Sequence, residues 1–244
     1  MRKGEDTLAS RLTRRSGKGE TTGKICVSIV ETTHDKAVRA IQEGNRVADL
    51  VELRVDYLKN PKLERVPISE KDRFILTCRR KAEGGRYAGN EKSRFGILKE
   101  AVELGFGYVD VELESERPLR EDLMENRKKT RVILSYHHFR TTPSQKELQK
   151  VTDDMIRLGA DVAKVVTFAQ IWEDNLRVLS LIPYAKEKGQ NIVAFCMGEN
   201  GKMSRIFAPW FGSAWTYAAL SKAKASAPGQ LTVREMKNLW EMLP

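Results

Sequence analysis

Lys164 stands within the apolar run Asp161-Val-Ala-Lys-Val-Val-Thr-Phe-Ala169, whose β-branched residues are typical of a strand buried on both faces. An isolated ammonium in such a strand loses its hydration, and this favours the neutral amine. A neutral amine is a nucleophile toward ketones, with which it forms an imine. The other interpretation is a long side chain that extends from the strand end into solvent. The run alone leaves both interpretations open.

Three charged residues alternate with apolar ones in the segment Val51–Asp56. Period-two alternation places Glu52, Arg54 and Asp56 on one face of a strand. An antiparallel strand with one solvated face would show the same pattern. In a parallel barrel, which helices cover on the outside, that face points into the barrel and its charges must find partners there. A barrel therefore predicts a charged interior, with Arg54 as a candidate ligand for an anion.

Two further segments place charges at the same rim. Tyr108–Leu113 repeats the alternation with Asp110 and Glu112, and the third strand-like run ends at Arg79, ahead of a loop that contains Glu83. The functional groups of a barrel enzyme lie at the carboxyl ends of its strands and in the loops that follow. These positions fit that rule.

Two of the three histidines, His137 and His138, are adjacent in the segment Ser135–Pro143, at the end of the fifth strand-like run. A histidine beyond the carboxyl end of a strand is well placed for general acid/base catalysis, because imidazole changes its charge near neutral pH. A structural histidine would occupy the same position. Side-chain chemistry does not say which of the two histidines acts.

Short β-rich runs alternate with segments of helical periodicity from Lys24 onward, as is typical of parallel strands joined by helices. The predicted strands are Ile25–Val30, Leu50–Val55, Phe74–Arg79, Tyr108–Leu113, Arg131–Tyr136, Val162–Phe168, Ile192–Met197 and one near Tyr217–Ser221. The predicted helices include Lys92–Leu104, Gln145–Leu158, Asn175–Glu187 and Thr232–Leu243, with Gly44, Gly105, Gly159 and Gly189 as candidate C-terminal caps. Eight units, without a glycine-rich phosphate loop after the first strand, predict an α/β fold made of a single (β/α)8 TIM barrel.

The 244 residues carry 43 Lys+Arg against 33 Asp+Glu, a formal net charge of +10. Residues 1–23 are basic and lack a sustained apolar period, so we expect a disordered tail ahead of a catalytic domain at 24–244. Without an apolar leader or a run long enough for a membrane span, we expect a cytoplasmic protein with no membrane partner. Three cysteines, Cys26, Cys78 and Cys196, lack metal-ligand spacing, which favours buried thiols over a zinc site.

The chain resembles the type I 3-dehydroquinate dehydratases, the Schiff-base enzymes of the shikimate pathway, over residues 24–244. The resemblance rests on the joint order and spacing of several motifs, any one of which is weak. These motifs are Glu52–Asp56, Thr77–Arg79 with Glu83–Gly85, Ser135–Pro143, Ala160–Lys164, Met197–Gly198, Ser204–Arg205, Phe211–Ser213 and Ser226–Gln230. Members of this family are (β/α)8 barrels.

The resemblance implies a hydro-lyase that dehydrates 3-dehydroquinate to 3-dehydroshikimate. It implies that Lys164 forms the imine, that His137 is the general acid/base and that Glu83 orients the imidazole. Arg205 matches the family's carboxylate-binding arginine. The positions that contact the substrate's ring and hydroxyls, or support those contacts, are Ser28, Glu52, Arg54, Arg79, Ser226 and Gln230. A homodimer that needs no metal or other cofactor is also implied.

Two other classes of protein share some of these features. A lysine-imine barrel of aldolase type also needs a buried lysine, but it would break or form a carbon–carbon bond. A basic nucleic-acid-binding protein would suit the net charge, but the sequence lacks zinc-finger spacing, a recognition-helix signature and a basic patch interleaved with aromatic residues. The chain departs from the family's usual residues at His138 and over Ile206–Trp210. The sequence therefore predicts a dehydratase with a small anionic substrate and no nucleic acid partner.

Overall fold

The structure, a computed structural model, describes residues 23–67 and 70–243. The predicted tail over residues 1–23 lies outside the described residues except for Gly23. Within the described part of the chain, no helix combines the length and the apolar composition needed to cross a membrane.

Parallel strands form the barrel that the strand–helix alternation predicts. Residues 23–67 and 70–243 contain eight of them: β1 (Ile25–Ile29), β2 (Leu50–Arg54), β3 (Phe74–Thr77), β4 (Tyr108–Glu112), β5 (Arg131–His137), β6 (Val162–Phe168), β7 (Asn191–Met197) and β8 (Thr216–Ala218). Their hydrogen-bonded order is β7-β6-β5-β4-β3-β2-β1-β8. The two ends of this order are bridged where Ala214 N–H donates to Ile192 O at 2.8 Å. The predicted fold class is confirmed.

Helices cover the outside of the barrel and connect successive strands, except that 3-10 turns lie between β2 and β3. They are α1 (His34–Val47), α2 (Glu91–Leu104), α3 (Arg117–Glu125), α4 (Gln145–Arg157), α5 (Asp174–Leu179), α6 (Leu181–Glu187), α7 (Lys202–Phe211) and α8 (Val233–Glu241). The sequence specifies two of the helix starts through capping boxes. Ser144 and Thr232 each accept a hydrogen bond from the backbone N–H of a glutamate three residues on, and the glutamate side chain accepts one in return.

Two details of the predicted helices are wrong. Gly44 does not cap a helix but lies inside α1, where an added Cβ would come within 3.3 Å of the Val51 side chain. Its lack of a side chain lets α1 approach β2 closely. The predicted helix Asn175–Glu187 is two helices that meet at Ser180. Pro183 has no N–H with which to bond the carbonyl of Leu179, and this breaks the helical hydrogen-bond ladder.

The interior of the barrel divides into an apolar half and a charged half. Alternate strand residues such as Val51 and Leu53 face outward and pack beneath the helices, where most of the core lies. The inward-facing residues near the strand starts are apolar or weakly polar: Cys26, Leu50, Ile75, Tyr108, Ile133, Val162, Val193 and Trp215. The predicted burial of all three cysteines is confirmed. Charged side chains occupy the half nearer the carboxyl ends of the strands.

Candidate active site

Lys164 lies midway along β6 with its side chain inside the barrel. Its Nζ donates to Asp110 Oδ2 at 2.8 Å, to Tyr217 Oη at 3.2 Å and to Glu52 Oε1 at 3.4 Å. The side chain is 6% exposed, so it does not extend into solvent. The expectation of an isolated ammonium is wrong, because two other strands bring carboxylates to it.

These four side chains form one layer of the barrel interior. Glu52 comes from β2, Asp110 from β4, Lys164 from β6 and Tyr217 from β8. In a (β/α)8 barrel the four side chains of a layer come from alternate strands. The cross-strand arrangement therefore surrounds the amine with two carboxylates and a phenol.

Glu52 is fixed by hydroxyl groups from both neighbouring strands. Ser28 Oγ of β1 donates to Glu52 Oε2 at 2.7 Å, and Thr77 Oγ1 of β3 donates to Oε1 at 2.9 Å. Burial alone would raise the pKa of Glu52, but the charges of Lys164 and Arg54 lower it. Glu52 therefore remains an ionised partner for the amine.

Asp110 links Lys164 to a buried series of ion pairs. Arg79 Nη2 lies 2.7 Å from Asp110 Oδ1, and its Nη1 lies 3.0 Å from Glu112 Oε1. Glu112 in turn pairs with Arg94 of α2 at 2.6 Å. Burial alone would raise the pKa of Asp110, but Arg79 and Lys164 hold it well below its ordinary value. Because both terminal nitrogens of Arg79 contact carboxylates, this arginine is placed to support the site.

His137 ends β5, and its two ring nitrogens have different surroundings. Nδ1 lies 3.0 Å from Glu83 Oε2, whereas Nε2 has no hydrogen-bond partner among the described residues. Burial, followed by the charges of Arg79 and Lys164, lowers the pKa of His137 well below its ordinary value. Burial raises the pKa of Glu83. A neutral imidazole whose Nδ1–H is held by a carboxylate can accept a proton at Nε2.

His138 faces a different environment from its neighbour. Its Nδ1 lies 2.8 Å from the carbonyl oxygen of Thr141, in the loop that follows β5. It does not line the cavity that His137 lines. The structure thus separates two histidines that side-chain chemistry leaves equivalent.

Arg54 ends β2 and is held by a carboxylate two residues later. Its Nε and Nη2 donate to the two oxygens of Asp56, each at 2.8 Å. Asp56 lies in a 3-10 turn and also accepts a hydrogen bond from the backbone N–H of Arg86 at 3.0 Å. This two-pronged pairing orients the guanidinium at the rim of the barrel.

Arg205 is a buried guanidinium with unused donors. It lies in α7 and is 1% exposed, and its Nε and Nη2 have no hydrogen-bond partner among the described residues. Its guanidinium carbon lies 4.3 Å from the centre of the Phe195 ring. Burial lowers the pKa of Arg205 to about 10, so the group remains charged at neutral pH. A planar cation with free donors is suited to bind a carboxylate.

The loop after β8 contributes Ser226 and Gln230. The backbone N–H and the hydroxyl of Ser226 donate to Gln230 Oε1 at 2.7 and 3.1 Å. Pro228 O accepts from Gly198 N–H at 3.1 Å, which fastens the loop to the end of β7. Gly229, with φ of 72°, approaches Gly198 so closely that an added Cβ would lie 2.1 Å from its carbonyl oxygen. The close packing holds the two side chains over the barrel mouth.

One polar cavity opens at the carboxyl ends of the strands. It contains every predicted site residue: Ser28, Glu52, Arg54, Arg79, Glu83, His137, Lys164, Arg205, Ser226 and Gln230. The remaining walls are Gly84, Phe139, Val166, Phe195, Met197, Tyr217 and Ala227. The structure therefore brings the predicted residues together, while their roles stay predictions.

Two residues that contact Lys164 are absent from the predicted site. Asp110 belongs to the alternating charges of Tyr108–Leu113, which predict an interior position but no role in the site. Tyr217 gives a weaker signal, an aromatic residue with a polar tip in a short apolar strand. Its contact with Lys164 depends on how the eighth strand aligns with the sixth across the barrel.

The departure over Ile206–Trp210 lies within α7 and away from the cavity. The Trp210 ring packs edge-on against Trp240 of α8, with ring centres 5.3 Å apart. Trp240 Nε1 donates to Ile206 O at 3.0 Å. The residues that differ from the family pattern thus form the contact between α7 and α8.

The fold and the cavity define a class of protein, a (β/α)8 barrel whose polar cavity lies where barrel enzymes carry their active sites. The sequence model described as type I 3-dehydroquinase matches residues 25–243. The chain belongs to the type I 3-dehydroquinase family.

Individual relatives agree with this assignment. The chain is 38% identical to the 3-dehydroquinate dehydratase of Desulfotalea psychrophila, covering 91% of this chain and 98% of the relative. It is 36% identical to the 3-dehydroquinate dehydratase of Methanocaldococcus jannaschii, covering 90% and 98% respectively. A solved structure of the type I 3-dehydroquinate dehydratase from Clostridium difficile, with covalently modified comenic acid, is similar with a TM-score of 0.81 at 26% identity. That match covers 91% of this chain and 92% of the other.

Proposed function

We propose that this chain is a 3-dehydroquinate dehydratase that works through an imine on Lys164, with His137 as the general acid/base. Family membership and the two relatives named 3-dehydroquinate dehydratase support the overall reaction. The arrangement of the cavity supports the mechanism. The substrate is a cyclic β-hydroxy ketone that carries a carboxylate.

One observation carries the proposal: Arg205 has buried donors without a partner among residues 23–67 and 70–243, and it lines the cavity that also holds Lys164. A buried charge without a partner is costly, and a substrate carboxylate would provide the missing acceptor. Its planar fork binds a carboxylate through two parallel hydrogen bonds. A ketone on the same ring would then face the amine.

The imine makes the elimination easier. Lys164 Nζ attacks the carbonyl carbon, and water leaves as the C=N bond forms. The protonated imine withdraws electrons, so the neighbouring carbon loses a proton and the electron pair is held as an enamine. Collapse of the enamine expels the hydroxyl from the next carbon. Hydrolysis of the product imine then frees the lysine.

His137 would carry the proton between these steps. Nε2 is the ring nitrogen without a partner among the described residues, and it takes the proton from the carbon beside the imine. The resulting imidazolium returns a proton to the departing hydroxyl, which leaves as water. One residue can serve both steps when the proton and the hydroxyl leave from the same face. A positioned acid/base of this kind contributes about 10²–10⁴-fold to the rate.

The test is turnover of 3-dehydroquinate, followed as the rise in ultraviolet absorbance of the conjugated product. We expect the purified chain to produce this rise and Lys164→Ala to abolish it. An aldolase would instead release carbon–carbon cleavage products, which chromatography of the reaction mixture would detect. Cleavage products without the absorbance rise would overturn the proposal.

The homodimer that the resemblance implies also stays a prediction. Sedimentation velocity over a range of protein concentrations measures it directly. A single species with the mass of one chain at every concentration would contradict it.

A further inference from the structure

The resting amine of Lys164 has three hydrogen-bond acceptors, and one of them is not a carboxylate. An ammonium carries three N–H donors. Asp110 Oδ2, Tyr217 Oη and Glu52 Oε1 lie 2.8, 3.2 and 3.4 Å from Nζ. Nζ also lies 4.3 Å from the centre of the Tyr217 ring. Each donor therefore has one acceptor within the layer, and the phenol contacts the ammonium through both its oxygen and its ring.

Tyr217 is held firmly and remains a neutral phenol. The residue is 4% exposed, and its ring packs against Phe195 with centres 5.9 Å apart. Burial, followed by the negative charge of Glu52, raises the pKa of Tyr217 well above its ordinary value. A phenol that keeps its proton stabilises an ammonium less than a carboxylate does, and it has no charge that would hold the amine protonated.

We propose that Tyr217 is a positioning residue for imine formation: its hydroxyl accepts the third hydrogen bond of the Lys164 ammonium and, with its ring, directs Nζ toward the cavity. The inference rests on the proposed function, since it concerns the residue that would form the imine. It assigns Tyr217 no contact with the reacting carbon and no proton transfer.

The groups around Lys164 make the effect of the hydroxyl measurable. The charged and titratable groups near Nζ are Glu52 on β2, Asp110 on β4, His137 on β5, Cys26 on β1, and Arg79, which follows β3 and reaches the amine through Asp110. The residues paired with Lys164 on the two neighbouring strands are uncharged: Val193 on β7 and Ser135 on β5. Tyr217→Phe leaves all of these unchanged and keeps the ring. It removes a charge-assisted hydrogen bond from the ammonium, and this bond is stronger than the one that a free amine would make to the same hydroxyl.

The experiment measures covalent trapping of the imine as a function of pH. Enzyme is mixed with 3-dehydroshikimate and cyanoborohydride, and the adduct is quantified by intact mass. Trapping needs only the lysine step, and it rises with pH as the amine loses its proton. Loss of the hydrogen bond to Tyr217 destabilises the ammonium more than the free amine, so the midpoint of that rise should move to lower pH by about 0.5–1 unit in Tyr217→Phe. The reductant's own pH dependence cancels, because wild type is measured beside the variant.

Tyr108→Phe is the matched control. Tyr108 lies in the apolar half of the barrel interior on β4, so the same change is made away from the amine, and its midpoint should equal that of wild type. An unchanged midpoint in Tyr217→Phe would overturn the inference, even if trapping became slower, because slower trapping alone is what a packing defect produces. Failure of Tyr217→Phe to fold would also overturn it, since the hydroxyl is assigned one hydrogen bond and no larger structural role. If wild type itself forms no adduct and does not turn over 3-dehydroquinate, the proposed function fails instead.

Discussion

Glu83 and His137 are separated by 54 positions in the sequence, yet Oε2 of the first lies 3.0 Å from Nδ1 of the second. Glu83 is itself held by Arg80, whose Nη2 donates to Oε1 at 2.9 Å. The contact fixes the plane of the imidazole and occupies Nδ1 with a hydrogen bond. In the proposed mechanism, Nε2 is therefore the nitrogen that transfers the proton.

The two adjacent histidines should therefore differ sharply in their contribution to turnover. His137→Ala should lose about 10²–10⁴-fold in kcat. It should still form an imine that borohydride traps, because Lys164 remains. His138→Ala should retain far more activity, since its Nδ1 contacts Thr141 O outside the cavity. Steady-state kinetics of both variants test this, and the opposite ranking would exchange the two roles.

Borohydride should inactivate the enzyme irreversibly in the presence of 3-dehydroquinate or its product. Reduction converts the imine to a stable amine, so one adduct per chain should map to Lys164 by peptide mass spectrometry. Borohydride without substrate is the control and should leave the mass unchanged. An adduct on any other lysine, or full activity in Lys164→Ala, would contradict the assignment.

Arg205→Lys should weaken substrate binding although the charge is kept, because one ammonium cannot reproduce a planar fork on a carboxylate. The loss of a charge-assisted hydrogen bond costs about 1.5–3 kcal/mol, or roughly a 10- to 150-fold change in apparent affinity. Arg157→Lys on the exposed face of α4 is the matched control. A near-normal KM in Arg205→Lys would contradict this role and indicate that Arg54 or Arg79 binds the carboxylate.

Acid should destabilise the fold partly through His137. Burial, Arg79 and Lys164 keep its folded pKa well below the ordinary value near 6.5. Below pH 6.5 the unfolded chain therefore binds more protons, and the free energy of unfolding falls as pH drops toward the folded pKa. At pH 5 this contribution reaches up to about 2 kcal/mol. Urea unfolding at pH 7 and pH 5 should show a smaller fall in His137→Ala than in wild type, and equal falls would refute the prediction.

Deletion of residues 1–22 should leave turnover and Tm nearly unchanged. The segment has no apolar periodicity, and the first strand begins at Ile25. The measurement compares kcat and Tm of the shortened chain with those of the full chain. A large drop in either would make the segment part of the folded domain.

The apolar strand runs made most of the fold predictable. Val162–Phe168 is a strand with the predicted bounds. Both of its faces are buried, and its β-branched apolar residues are typical of such a strand. Helix ends were less predictable from the sequence. One helix ends at Gly105, whose φ is 77°, whereas Gly44 lies inside another helix and packs against Val51.

The candidate site was predictable as a set of residues but not as a set of contacts. Lys164 is distinctive in the sequence because it interrupts an apolar run. Its partners Asp110 and Tyr217 lie 54 and 53 positions away. No local pattern encodes which side chains of alternate strands share a layer, since that depends on how the closed barrel staggers its strands.

The line of alternating charges from Arg94 through Glu112, Arg79 and Asp110 to Lys164 also constrains how this protein can evolve. Removal of any one member takes an ion-pair partner from each buried neighbour and leaves that neighbour with fewer opposite charges. Changes at neighbouring members are therefore coupled and not additive. A substitution at Arg94 on α2 would leave Glu112 paired with Arg79 alone, and so would alter the charge balance of the line that ends at the amine. Substitutions in α2, which covers the barrel, are therefore coupled to substitutions among the charged residues of the barrel interior.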